Sequence, residues 1–148
     1  MKKFVLLVLT FISLIKADEY KAVFDCSAKD ARFIMGRMIL IERTIKMIEE
    51  GKESAKFALT LHGGCVAMVS KNYDEVVEDE DLEYIQKAQE SITRLKEKNG
   101  VEVVVCAMSL NANTIDEADV LPFVKITPNS FIDTIRYQNR GYALMSFK

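Results

Sequence analysis

The side chains best suited to covalent chemistry are three thiols, Cys26, Cys65 and Cys106, and one imidazole, His62. Cys106 stands in Val101-Glu102-Val103-Val104-Val105-Cys106-Ala107-Met108-Ser109-Leu110, an almost wholly apolar stretch after the helix-stop pair Asn99-Gly100. Such a run, rich in β-branched residues, reads as a strand buried on both faces in a parallel sheet. Cys106 then lies at or near its carboxyl end, where open α/β sheets place their ligands. A thiol there has two readings. One is a nucleophilic thiolate that accepts or passes sulfur as a persulfide, which takes an accessible sulfur, a lowered pKa and nearby donors. Backbone N–H groups of the loop Ala107 to Asn113, and of a turn after Thr114, would supply the last two. The other is an inert buried cysteine that packs as a small apolar group.

The remaining three residues leave alternatives open. His62 could protonate or orient a leaving sulfur, since a free histidine titrates near about 6.5. It could equally hydrogen-bond the Gly63-Gly64 turn. Cys26 and Cys65 could be resolving thiols, or could pair with each other if their Cα atoms come within about 7 Å. That bridge would leave Cys106 as the odd thiol. All four residues could also hold a metal, although paired CxxC motifs are missing. Gly63-Gly64 is a poor phosphate loop because no Lys-Ser/Thr follows. No Ser-His-Asp arrangement is evident, and no cofactor or metal is expected.

The elements around these residues must position them. Tyr20 to Cys26 reads as a first strand. Ser27-Ala28-Lys29-Asp30 matches a capping box with Ser27 as the cap. A long helix follows, with Ile34, Met38, Ile41, Ile45 and Ile48 on one face, widened by Met35 and Ile39, and Gly51 as its stop. Lys56 to His62 is a second strand, and Val66 to Val69 begins a small helix. The acidic Glu78-Asp79-Glu80-Asp81 precedes a helix with Leu82, Ile85, Gln89, Ile92 and Leu95 facing inward, and suits its positive end. Thr114-Ile115-Asp116-Glu117 is a second capping-box match, starting a turn that Pro122 disrupts. Phe123 to Ile126 is a short fourth strand. Pro128-Asn129-Ser130 introduces a helix carrying Phe131, Ile132 and Ile135 and ended by Gly141, and Tyr142 to Phe147 closes the chain as a strand. Strands alternating with helices imply a mainly parallel sheet of about five strands between two helical layers. This is a three-layer α/β/α fold, flavodoxin-like in the broad sense. It would bring Cys26, His62, Cys65 and Cys106 to one edge of the sheet.

The chain has 148 residues, of which 49% are hydrophobic, enough for one core and too little for two ordinary domains. Met1-Lys2-Lys3 is a basic head, Phe4 to Ile15 is apolar apart from Thr10 and Ser13, and Ala17 follows. That is the pattern of a secretory signal peptide over residues 1–17, leaving a single domain over 18–148. A retained anchor helix is the other reading, but the run is short for a membrane span. A periplasmic or secreted location is expected, with no stable membrane span after processing. Removing Lys2, Lys3 and Lys16 takes Lys+Arg from 20 to 17 while Asp+Glu stays at 22, a net charge of 17 − 22 = −5. An acidic chain without a basic stripe is a poor nucleic-acid binder. Export implies an oxidising compartment where disulfides persist.

Val105-Cys106-Ala107-Met108-Ser109-Leu110, followed by a polar loop and Ile115, resembles the cysteine segment of the DsrE/DsrF-like family, which includes TusD-like sulfur-relay proteins. Leu59-Thr60-Leu61-His62-Gly63-Gly64 is similar to that family's second strand and His-Gly turn. Leu121 to Ile126, followed by Gln138-Asn139-Arg140-Gly141-Tyr142, is similar to its C-terminal pattern. The resemblance covers nearly all of residues 19–148 and implies a DsrE-like fold. It further implies a sulfur-trafficking or sulfur-carrier protein, with Cys106 as the sulfur-accepting residue and His62 and Cys65 as possible helpers. It also implies assembly into trimers or hexamers and a sulfur donor or acceptor protein as partner. The alternative is a non-catalytic oligomeric binding or interaction module on the same fold.

Overall fold

A computed structural model describes residues 19–147. The expected signal peptide lies outside the described residues. Five strands form one all-parallel sheet: β1 Glu19–Cys26, β2 Ser54–Leu61, β3 Glu102–Cys106, β4 Lys125–Thr127 and β5 Ala143–Phe147, in the order β4-β3-β2-β1-β5. Four helices accompany them: α1 Ala31–Glu50, α2 Leu82–Asn99, α3 Ala107–Ala112 and α4 Ser130–Asn139. The architecture is the three-layer α/β/α sandwich that the strand–helix alternation implies.

Handedness explains the layering. From β1 to β4 the chain steps one way across the sheet, and α1 and α2 pack side by side on one face. β5 returns to the far side of β1. A right-handed crossover in the reverse direction puts its helix, α4, on the opposite face. The larger core lies under α1 and α2, where Ile34, Met38, Ile41, Ile85, Ile92 and Leu95 meet Phe24, Leu59, Leu61, Val103 and Val105. A smaller one lies under α4, with Val23, Ala58, Val104, Tyr137 and Tyr142.

The boundaries correct several expectations. Asp30, not Ser27, caps α1, accepting from Phe33 N at 2.6 Å. Ser27 is tied instead to the end of β5, its N–H donating to Phe147 O at 2.9 Å. The third strand stops at Cys106, and the next residues are helical rather than strand or loop. Ala107, Met108 and Leu110 are good helix formers without β-branching, unlike the valines before them. Thr114 is not a cap; its φ is 59°, and Asp116 caps the turn Glu117–Asp119 by accepting from Ala118 N at 2.9 Å. The fourth strand begins two residues later than expected, at Lys125.

α4 lies the other way round from an ordinary amphipathic helix. Ser130, Asp133, Thr134 and Tyr137 are buried against the sheet. Phe131, Ile132 and Ile135 point outward, each more than half exposed at 59%, 52% and 58%.

Candidate functional site

Side chains alternate between the two faces of a strand, and the register decides which of them meet. Cys26 pairs with Leu61, and Leu61 with Val105. All three belong to the core under α1 and α2. One residue earlier, Asp25 pairs with Thr60 and Thr60 with Val104, and these face α4. His62, just after β2, and Cys106, the last residue of β3, lie on that same face at the carboxyl edge.

Cys106 ends β3 and is 5% exposed. It sits between β3, whose chain continues toward the α1–α2 side, and β4, whose chain turns to α4 on the other. A crevice at such a reversal is where α/β sheets bind ligands. Its thiol lies 3.9 Å from Pro128 O. Burial pushes the thiol up, but hydrogen bonds from the backbone N–H groups and hydroxyls of Ser130 and Ser109 together outweigh burial and hold it below its usual value. These serines open α4 and lie in the first turn of α3, where helix N–H groups lack intrahelical acceptors. Ser109 is itself placed from both sides. Gly63 N donates to its Oγ at 3.2 Å, and Asn113 Nδ2 donates to its carbonyl at 2.7 Å and to Gly63 O at 3.2 Å.

His62 follows β2. Its Nε2 lies 3.1 Å from Asp25 Oδ1, and the two side chains are 18% and 15% exposed. The Asp25 hydrogen bond raises His62 above the ordinary histidine value, against burial; the charges of Asp25 and Cys106 raise it further. The alternative of a histidine bonded to the Gly63-Gly64 turn is therefore not the arrangement found. Thr60 Oγ1, wholly buried, donates to Asp25 Oδ1 at 2.9 Å. Thr134 of α4 lies 3.2 Å from Thr60 Oγ1 and 3.1 Å from Ser130 O, so its one hydroxyl proton serves either acceptor. The Phe131 ring meets His62 edge to face, with centroids 5.6 Å apart.

Cys26 and Cys65 form a disulfide, with Cα atoms 5.9 Å apart. In this form Cys65 is not the free helper thiol expected beside Cys106, and no resolving thiol remains. The four-ligand metal set is likewise broken. Among the described residues no group of three His, Cys, Asp or Glu side chains is placed to hold a metal ion. The turn between His62 and Cys65 is drawn tight against the β1–α1 loop. Gly63 has φ 54° and a Cβ there would stand 2.8 Å from Ser27 O, while one on Gly64 would stand 2.6 Å from Ala28 O. Only glycine fits such an approach.

The structure thus brings Cys106 and His62 onto one face and separates Cys26 and Cys65 from them. Sequence reasoning missed Asp25, Thr60, Ser109, Ser130 and Thr134. A signal was present for Asp25, an acid directly after the apolar run Ala22-Val23-Phe24. Its partner, however, is set by β1–β2 register.

A parallel sheet of this order, with an unpaired thiol closing its third strand, defines a thiol-bearing three-layer α/β/α protein. The model of the DsrE/DsrF-like family matches residues 21–147, and the chain belongs to that family. It is 36% identical over 147 residues to an uncharacterized protein of Aquifex aeolicus (strain VF5). That match takes in 99% of this chain and 64% of the relative, so the chain spans less than two thirds of the relative's length. A solved structure of a protein of unknown function from Methanobacterium thermoautotrophicum superposes with a TM-score of 0.66. It covers 86% of this chain and 99% of that one at 16% identity, a likeness of fold.

Proposed function

We propose that this protein accepts sulfur as a persulfide on Cys106 and hands it on. The supporting observation is the thiol itself: unpaired, at the sheet's carboxyl edge, and surrounded by serine donors that favour the thiolate. The Cys106 thiolate attacks the outer sulfur of a donor R–S–SH. The donor's S–S bond breaks, its electron pair leaves on R–S⁻, and the new bond gives Cys106–S–SH. His62 as imidazolium supplies the proton that turns R–S⁻ into R–SH. No net oxidation occurs, so no further reagent is needed.

Mass spectrometry of the purified protein after incubation with polysulfide tests this. The expected result is an adduct of about 32 Da, roughly one sulfur atom, on Cys106 and its loss in a folded Cys106→Ser variant. An adduct elsewhere, or none, overturns the reading. The Cys26–Cys65 bridge supports an oxidising compartment such as the periplasm or the exterior. No helix among the described residues is long and apolar enough to cross a membrane.

A second reading, an interaction module, is favoured by exposed apolar residues on the two helices whose first turns meet the thiol. Met108 of α3 and Phe131, Ile132 and Ile135 of α4 are exposed. Patches of this kind mark protein contacts, and self-assembly into trimers or hexamers, or docking of a sulfur donor, would cover them. The two readings are compatible. Light scattering at micromolar concentration separates an assembly from a monomer.

A further inference from the structure

Resting on that reading of Cys106, the structure also carries an inference about Asp25, whose partners only the folded sheet reveals. Asp25 is a carboxylate on an inner position of a central strand, flanked by apolar neighbours. Its Oδ1 gathers two donors, Thr60 Oγ1 of β2 at 2.9 Å and His62 Nε2, just after β2, at 3.1 Å. Thr134 of α4 braces Thr60 from the other side at 3.2 Å. The arrangement fixes the ring from behind and leaves its remaining nitrogen turned away from Asp25. Leu61 pairs with Val105, and the residues that come next along the two chains are His62 and Cys106. The ionisable groups acting on the ring are Asp25 from β1 and Cys106 from β3, while α4 presents the uncharged Phe131 ring. The backbone on either side is also fastened. Cys26, directly after Asp25, is bridged to Cys65, three residues after His62.

We propose that Asp25 is a positioning residue that holds the His62 imidazolium toward Cys106, where its proton serves the departing sulfur. Cys106, His62 and Asp25 then act in series on three neighbouring strands, with Asp25 touching neither sulfur donor nor acceptor.

The chain contains one histidine, so its ring protons give a single NMR titration. In the wild type that titration should have its midpoint above the ordinary histidine value. Asp25→Asn should lower it, and Asp25→Glu should restore much of the loss. Iodoacetamide alkylation of Cys106 against pH reads the thiolate independently of any sulfur loading. At pH below the thiol midpoint, Asp25→Asn and His62→Gln should each slow alkylation about threefold to tenfold, the effect of weakening one nearby opposite charge. A His62 midpoint unmoved by Asp25→Asn overturns the proposal. So does a moved midpoint with an unchanged alkylation profile. Should Asp25→Asn fail to fold, the wild-type titration still decides, because a midpoint at or below the ordinary histidine value is incompatible with the proposal. Absence of a polysulfide adduct in the wild type would remove the sulfur-carrier reading and leave these two titrations to judge the Asp25–His62 pair.

Discussion

The backbone N–H of Gly63 donates to Ser109 Oγ across 3.2 Å, which joins the turn after His62 to the helix after Cys106. Because that oxygen accepts from the backbone, its own proton is free to point at sulfur. Ser109 therefore does more than fill space beside the thiol: it relays the placement of the β2 turn to Cys106.

It follows that the two serines tune the thiol. Ser109→Ala and Ser130→Ala should each move the alkylation midpoint of Cys106 to higher pH, and the double variant further. The backbone N–H groups of both residues survive the change, so the shift should stop short of a fully desolvated thiol. Mass-resolved alkylation across a pH series measures this. A midpoint that stays put in the double variant argues against serine control.

The bridge should be structural. It closes a sequence separation of 39 residues, for which loop-closure entropy gives a stabilisation of about 2–4 kcal/mol. The double variant Cys26→Ser, Cys65→Ser should lose about that much in urea unfolding. Unfolded without reductant, the chain should show one titratable thiol, and after reduction all three. Three thiols before reduction contradict the pairing.

The Asp25–His62 pair should leave a mark on stability against pH. The hydrogen bond with Asp25 raises His62 in the folded state, so the folded chain holds this proton more tightly than the unfolded one. The contribution is complete below the unfolded value of about 6.5 and is lost as pH rises through the higher folded value. In a Cys106→Ser background, which removes the thiol's own titration, the stability gap between His62 and His62→Gln should be widest below about pH 6.5 and narrow as pH rises past it. A gap that is flat or widens with pH has the wrong sign.

Much of the fold is legible because apolar runs and stop signals are local. The valines of β3 and the Ile/Met stripe of α1 declare themselves without a partner. Elements that borrow their environment from afar do not. Phe131, Ile132 and Ile135 look like the inner stripe of α4. Yet the sheet beneath carries Thr60 and Cys106, so the helix turns Thr134 toward the first and Ser130 toward the second. The inversion is a consequence of the site, and nothing within ten residues of α4 announces it. Cys106 is legible as a strand end, while its donors depend on where α3 and α4 begin. Ser27-Ala28-Lys29-Asp30 offers two oxygen-bearing caps, and closure of the Ser27 backbone onto β5 leaves Asp30 to take the role.

The alternation of side chains along β1, β2 and β3 has one more consequence. Cys26 and Cys65 lie in the layer beneath α1 and α2, and Cys106 lies on the α4 side. A thiolate scrambles a disulfide only by reaching one of its sulfurs, and here the bridge and the thiol belong to opposite faces of the sheet. The bridge and the free thiol are thereby kept in separate layers of one small domain. Under the proposed function, sulfur on Cys106 would turn over on one face of the sheet while the bridge on the other stays closed.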